Sequence, residues 1–366
     1  MENSTLNYQI ALTLLKGIGP IKARTLLSKV GSIESIFNDS LVSISKNAEI
    51  SLPLLKQMNR ENALNIANQH VNYFEKNEIN THFYTSETYP RRLKQCADAP
   101  ILLFSKGKMD LNAQRIVSIV GTRNATEYGK QVCEEIIKDF VGKNILVTSG
   151  MAYGIDICAH QLCLKYDVPT IGVLGHGLDR MYPSEHKITA KRMLENGGLL
   201  TEYLPGTNPD RENFPMRNRI VAGMADATIV IESKESGGSL ITADLANDYS
   251  RDVFAVPGNV GQIYSKGCNL LIAKHKAHLI TNCDDFLTWM QWKDEIKPKV
   301  VQRALFTNFS KEEVEIISIL ESEGDLNVDT LALKTKTPVS KINVLLFNLE
   351  MVGAVKMLPG NKYRLI

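Results

Sequence analysis

Near-continuous apolar runs recur through the middle of the chain, at 116–120, 145–148, 170–174, 199–202, 228–231 and 253–256. Helical stretches separate nearly all of them. Strands that are apolar at most positions, rather than at alternate ones, predict a parallel sheet covered by helices on both faces. The pattern before residue 80 is different and reads as a succession of short helices. After a basic, polar linker near 293–309, helical spacing returns over 310–366 and ends in two short β-rich runs around Leu358-Pro359-Gly360-Asn361, a strong turn sequence. The predicted architecture is α/β. A doubly wound, mostly parallel sheet spans 82–292, with a helical region (1–80) before it and, beyond the linker, a compact helical module with a terminal hairpin (310–366).

Ligands of such sheets sit at the carboxyl ends of the strands. The uncommon residues cluster there: Gly121-Thr122-Arg123, Ser149-Gly150-Met151-Ala152, Gly175-His176-Gly177 and Ser236-Gly237-Gly238. Glycine in βα turns accounts for part of this. Arginine on a glycine-lined rim has no packing reason to be there. Arg217 and Arg219 flank Asn218 at the start of one helix, with Phe214 just before them, and Gly237-Gly238 opens another. Helix starts present unpaired N–H groups and the positive dipole end, so two of them with guanidinium groups nearby predict a phosphate pocket. Phe214, Tyr182 and Tyr153 are candidates for stacking on bases.

The terminal regions carry weaker signals. Gly17-Ile18-Gly19-Pro20 between two helices resembles a helix-hairpin-helix (SAM-like) element. There the backbone of Gly17 and Gly19 would face a DNA phosphate, with Lys16, Lys22 and Arg24 adding charge. A packing hairpin would look the same. The last region reads as a winged helix. Ser310 caps its first helix, which carries an apolar stripe at Val314, Ile317, Ile319 and Leu320. Its recognition helix is poor in base, so phosphate contact would fall to the wing, at Lys356, Lys362 and Arg364.

Composition narrows the classes. With 42 basic and 40 acidic residues the net charge is +2, so nucleic-acid binding would have to be local. The six cysteines include no C-x-x-C pair, which removes zinc and redox spacing and fits a reducing compartment. No apolar run approaches the ~18 residues of a membrane span, and the first residues do not read as a signal peptide. A cytoplasmic protein is expected.

The middle region closely resembles the DprA/Smf family, the DNA-processing proteins of natural transformation. The resemblance covers most of 89–286. It runs through Ser118–Arg123 with Tyr128-Gly129, Ser149–Asp156 with His160, and Gly175–Asp179 with Tyr182-Pro183. It continues through Thr201-Glu202, Phe214–Gly223, Ser236–Ala243, Val256-Pro257-Gly258 and Gly267-Cys268-Asn269. It implies a Rossmann-like core between a helical front and a winged-helix tail. It also implies a non-enzymatic homodimer, without cofactor, that binds single-stranded DNA and loads RecA recombinase on it. The family's phosphate-pocket residues map onto Thr122, Arg123, Lys187, Arg217, Asn218 and Arg219, beside Gly237-Gly238. His186 competes with Lys187 for its place. His176 stands where the family usually has a small residue, and a turn role is expected for it. No short motif marks the recombinase-contact surface.

Other readings meet specific obstacles. Phosphoribohydrolases of the LOG type share a Gly-Gly-x-Gly-Thr loop ending in glutamate; here Leu240 replaces the third glycine and Asp244 the glutamate. A dinucleotide site lacks its G-x-G-x-x-G, because Arg123 stands where glycine is needed. Asp156 and His160, four apart, would share a helix face, but no third metal ligand is marked. A structural bond between the two is expected instead. A protein-interaction scaffold with an idle pocket would tolerate loss of Arg123 and Arg217.

Overall fold

The protein is described here as a computed structural model covering residues 2–293, 309–352, 354–358 and 361–365. They fall into two compact units that divide between Trp292 and Lys293. The expected linker, 293–309, lies outside the described residues except at its two ends.

In the first unit nine strands form one sheet. They are β1 (Asn80–Phe83), β2 (Leu102–Lys108), β3 (Arg115–Val120), β4 (Ile145–Gly150), β5 (Thr170–Val173), β6 (Gly197–Thr201), β7 (Ala227–Val230), β8 (Asp252–Ala255) and β9 (His278–Leu279), in the order β1-β2-β6-β5-β4-β3-β7-β8-β9. From β6 to β9 the pairing is parallel throughout. Successive β3 residues feed opposite cores. Ile116 and Val120 pack on the face covered by helices Asn213–Met224 and Gly238–Asp248, while Val117 and Ile119 pack beneath Glu127–Asp139 and Ile155–Tyr166. That alternation is the pleat expressed in a strand apolar on both sides.

The chain leaves β3 toward β4, β5 and β6, then returns to build β7, β8 and β9 on the other side of β3. The loops after β3 and β7 therefore diverge, which opens a crevice at this switch point.

Three strands lie outside the six runs of the expected sheet. β1 and β2 form an antiparallel edge on β6, and β9 has only two residues. β1, Asn-Thr-His-Phe, has a single buried position and so presents no apolar run.

The helical front begins with Glu2–Thr13 and Pro20–Val30, joined through Gly17 at φ +77°. Its core runs without a break from Ile10, Leu26 and Phe74 into Phe83, Ile101 and Phe104 of the sheet edge and its approach. The change near residue 80 is thus a change of architecture inside one packed unit.

The second unit carries helices Lys311–Glu323, Val328–Thr335 and Val339–Met351 with a sheet of β10 (Leu326–Asn327), β12 (Lys362–Leu365) and β11 (Val355–Leu358) in that order. Ser310 and Glu313 form a capping box at its start. The stripe on the first helix is shifted from the expected one. Ile316 and Leu320 are buried, Ile317 and Ile319 flank them, and Val314 is half exposed. The hairpin tip at 359–360 lies outside the described residues. Among the described residues no helix is long and apolar enough to cross a membrane.

Candidate nucleic-acid interface

The floor of the crevice holds two buried charged groups, Arg217 and Asp156. Arg217 projects from the first half of the Asn213–Met224 helix and is 5% exposed. Its guanidinium donates to the Val173 carbonyl at the end of β5, and its Nε to Asn218 Oδ1 at 3.2 Å. Asp156 lies against it. Gly150 makes the approach possible, because a Cβ there would strike Asp156 Oδ2 and lie 2.6 Å from both terminal nitrogens of Arg217. Burial pushes the Asp156 carboxyl up to about 6, with the Arg217 charge and the Ala152 N–H opposing the rise. A buried guanidinium stays protonated and needs such a partner.

The walls come from the diverging loops. Thr122 N–H donates to the Glu232 carbonyl at 2.7 Å, and the Thr122 carbonyl accepts from Ile155 N–H at 3.1 Å, which stitches the β3, β7 and β4 loops together. Gly154, at φ +79°, lets the 122–123 backbone come close: a Cβ there would lie 2.7 Å from Arg123 Cα. Arg123 is exposed, its guanidinium carbon 6.0 Å from the centre of the Phe214 ring. Tyr182 stands 6.0 Å beyond Phe214, with the two rings tilted by 38°. On the other side Gly237 caps the Gly238–Asp248 helix without a side-chain acceptor, which leaves its first turn suited to an anion.

These residues enclose two adjoining cavities of about 540 and 310 Å³, which share Arg123, Ala152, Phe214, Arg217, Asn218 and Gly238. Thr122 and Gly237 line the smaller one. The fold thus gathers seven expected residues: Thr122, Arg123, Phe214, Arg217, Asn218, Gly237 and Gly238.

Arg219 is not among them. It is buried on another side of its helix, ion-paired with Glu202 and donating to the Asp98 carbonyl. Positions two apart on a helix do not share a face, so Arg217 and Arg219 could not both enter the crevice. Lys187 is exposed and lines neither cavity. His186 is turned inward, its Nδ1 2.8 Å from the Met151 carbonyl. Sequence reasoning missed Lys234 and Asn124 in the smaller cavity and Arg211 in the larger. Lys234 follows β7 in the Ile231-Glu232-Ser233-Lys234 loop, and its place after a strand was the available signal. Arg211 sits in a polar loop with nothing to distinguish it.

His160 does not bond to Asp156 as expected. Its ring nitrogens lie 2.7 Å from Thr170 Oγ1 and 2.8 Å from the Gly150 carbonyl, and burial lowers its pKa to about 4. It braces β4 against β5 as a neutral ring. His176 holds a turn, between the Gly177 carbonyl and the Tyr182 N–H. Asp244, which stands in for the hydrolase glutamate, pairs with Lys276 at 2.7 Å and lines neither cavity.

At the accessory positions, Lys22 Nζ lies 3.4 Å from the Gly17 carbonyl. Gly17 and Gly19 are exposed. Arg24 donates to the carbonyls of Cys96 and Ala97, so it is engaged with the sheet unit. In the second unit Lys356 and Lys362 are exposed, while Arg364 is paired with Asp325.

Residues 80–291 match the family described as DNA recombination-mediator protein A, and 309–361 match the DprA winged helix domain. Protein Smf of Escherichia coli (strain K12) is 30% identical over 353 residues, 91% of this chain and 94% of that protein. DNA processing protein DprA of Bacillus subtilis (strain 168) is 44% identical over 190 residues; the match takes in 52% of this chain and 64% of that relative. The X-ray structure of DNA processing protein A from Streptococcus pneumoniae is similar with a TM-score of 0.67 and 32% identity, over 77% of this chain and 97% of that one. The Helicobacter pylori DNA processing protein A, in a structure concerned with its single-stranded DNA binding mode, gives 0.53 and 28% over 58% and 96%. With matches to both the sheet unit and the winged-helix unit, the chain belongs to the DprA/Smf family of DNA recombination-mediator proteins.

Proposed function

We propose that this protein binds single-stranded DNA without chemistry, as a cytoplasmic homodimer that protects incoming strands during natural transformation and loads RecA recombinase on them. The observation that carries the DNA reading is the crevice itself. A buried Arg217, an exposed Arg123 and an uncapped helix start offer phosphate contacts, with Phe214 and Tyr182 standing as unpaired-base platforms beside them. Phosphate contacts without base-edge readout give sequence-tolerant binding, and stacking rings favour strands whose bases are free. Recombinase loading and dimerisation rest on the family resemblance. Asp156 is the one carboxylate lining these two cavities, and it lies beside the Arg217 charge, which favours binding over a two-carboxylate hydrolysis.

The test is fluorescence anisotropy of a labelled oligonucleotide, single-stranded and duplex side by side, at two salt concentrations. Salt-sensitive binding that prefers the single strand supports the reading. A folded protein that binds neither would redirect attention to small nucleotide ligands of the Gly237-Gly238 loop.

A further inference from the structure

A third cavity, of about 640 Å³, lies on the same rim beyond the crevice, between the start of the Glu127–Asp139 helix and the loop that follows β8. Its lining differs in kind from the crevice, with no lysine or arginine. Tyr128 forms one wall. The ring is 46% exposed, yet its hydroxyl is fixed to the Pro257 carbonyl at 2.7 Å. The loop opposite is pinned by Asn269, which bonds both the N–H and the carbonyl of Gly258 at 3.1 and 2.9 Å. That loop presents the side chains of Asn259 and Gln262, which are exposed and have no side-chain partner among the described residues. At the back lies Glu232, 3% exposed and accepting from Thr126 N–H at 2.9 Å and Thr126 Oγ1 at 2.6 Å.

The carboxylates of Glu232 at the back and Glu127 on the rim disfavour phosphate, while a fixed aromatic face and two free amides suit a flat, neutral group with donors and acceptors on its edge. That describes a nucleobase. The cavity neighbours the crevice: Lys234 lines the crevice, and its ammonium lies 5.4 Å from the centre of the Tyr264 ring, which lines this cavity. We infer that this cavity is a nucleobase subsite, in which Tyr128 stacks on a base of the strand whose phosphates lie in the Arg217 crevice. The inference rests on the single-strand reading above and adds where a further base goes.

The experiment compares two labelled dodecamers, oligothymidine and an all-abasic strand, bound to the full chain and its variants at two salt concentrations. Tyr128→Ala is expected to weaken oligothymidine about tenfold, to leave the abasic strand unchanged, and to keep the salt slope, since no phosphate contact is lost. Tyr128→Phe, which keeps the ring, retains most of the affinity. Should Tyr128→Ala fail to fold, the surface variant Asn259→Ala/Gln262→Ala serves, with the same selective loss for the base-bearing strand. Arg123→Ala is the control arm and should weaken both strands with a shallower slope. Equal binding by wild type and the Tyr128 or Asn259/Gln262 variants, or equal losses on both strands, overturns the subsite alone. A wild-type protein that binds neither strand overturns the single-strand reading and the subsite with it.

Discussion

Asp156 and Arg217 meet in the space that a side chain on Gly150 would occupy. Burial holds the Asp156 carboxyl near 6, so its charge changes within reach of ordinary buffers. A phosphate at Arg217 would favour the protonated form, and binding would then take up a proton. Affinity for a single-stranded oligonucleotide is therefore expected to rise as pH falls from about 7.5 to about 5.5. Asp156→Asn should flatten that dependence. A pH slope of the same size in the variant would remove Asp156 from the linkage.

Replacing Gly150 with alanine tests the same pair by geometry. The new methyl group must displace either the carboxylate or the guanidinium. Gly150→Ala should lower thermal stability and weaken strand binding together, whereas a methyl tolerated without loss of either would mean that the pair is not tightly held.

Arg123 is exposed at the mouth, so its loss should not disturb the fold. Arg123→Ala is expected to weaken single-strand binding and reduce the salt slope by about 0.7, one phosphate contact. Lys187→Ala, outside both cavities, should change the slope less. Anisotropy titrations over a salt series separate the two, and a larger effect at Lys187 would move the strand path toward the 182–187 loop.

Arg219 should behave in the opposite way. Its removal leaves Glu202 buried without its ion pair, a loss on the order of 3 kcal/mol. Denaturant midpoints should drop in Arg219→Ala while the salt slope of the remaining folded protein stays at the wild-type value. A changed slope with unchanged stability would return Arg219 to the phosphate contacts.

A homodimer is expected, and light scattering at micromolar concentration should give twice the chain mass. A monomeric mass would count against the loader reading, which draws on assembly along a strand.

The parallel core could be read along the chain because burial on both faces makes β3, β4, β5 and β7 mostly apolar, with small polar residues such as Ser118, Thr148 and Thr170 buried among them. The carboxyl-end rule then located the rim from glycine and arginine after those strands. Of the antiparallel edge, β1 buries one residue of four and leaves no run to see, whereas β2 opens on the buried run Leu102-Leu103-Phe104, which carries no mark of its antiparallel direction.

Within the site, the residue types and their loops were legible, whereas the direction of each side chain was not. Arg217 and Arg219 are equivalent as text. One faces the crevice and the other Glu202, because 200° of helix separates them. Asp156 and His160 sit four apart, as a bonded pair would, but β5 offers His160 a closer partner in Thr170. Lys234 joins the crevice only through the return of the chain to β7, beside β3. By itself the sequence determined the order of layers, the rim and the chemistry available there, since these follow from local periodicity and turn composition. Tertiary structure decided which charges are buried against each other and which are left to meet a ligand, since that depends on contacts between strands brought together across the switch point.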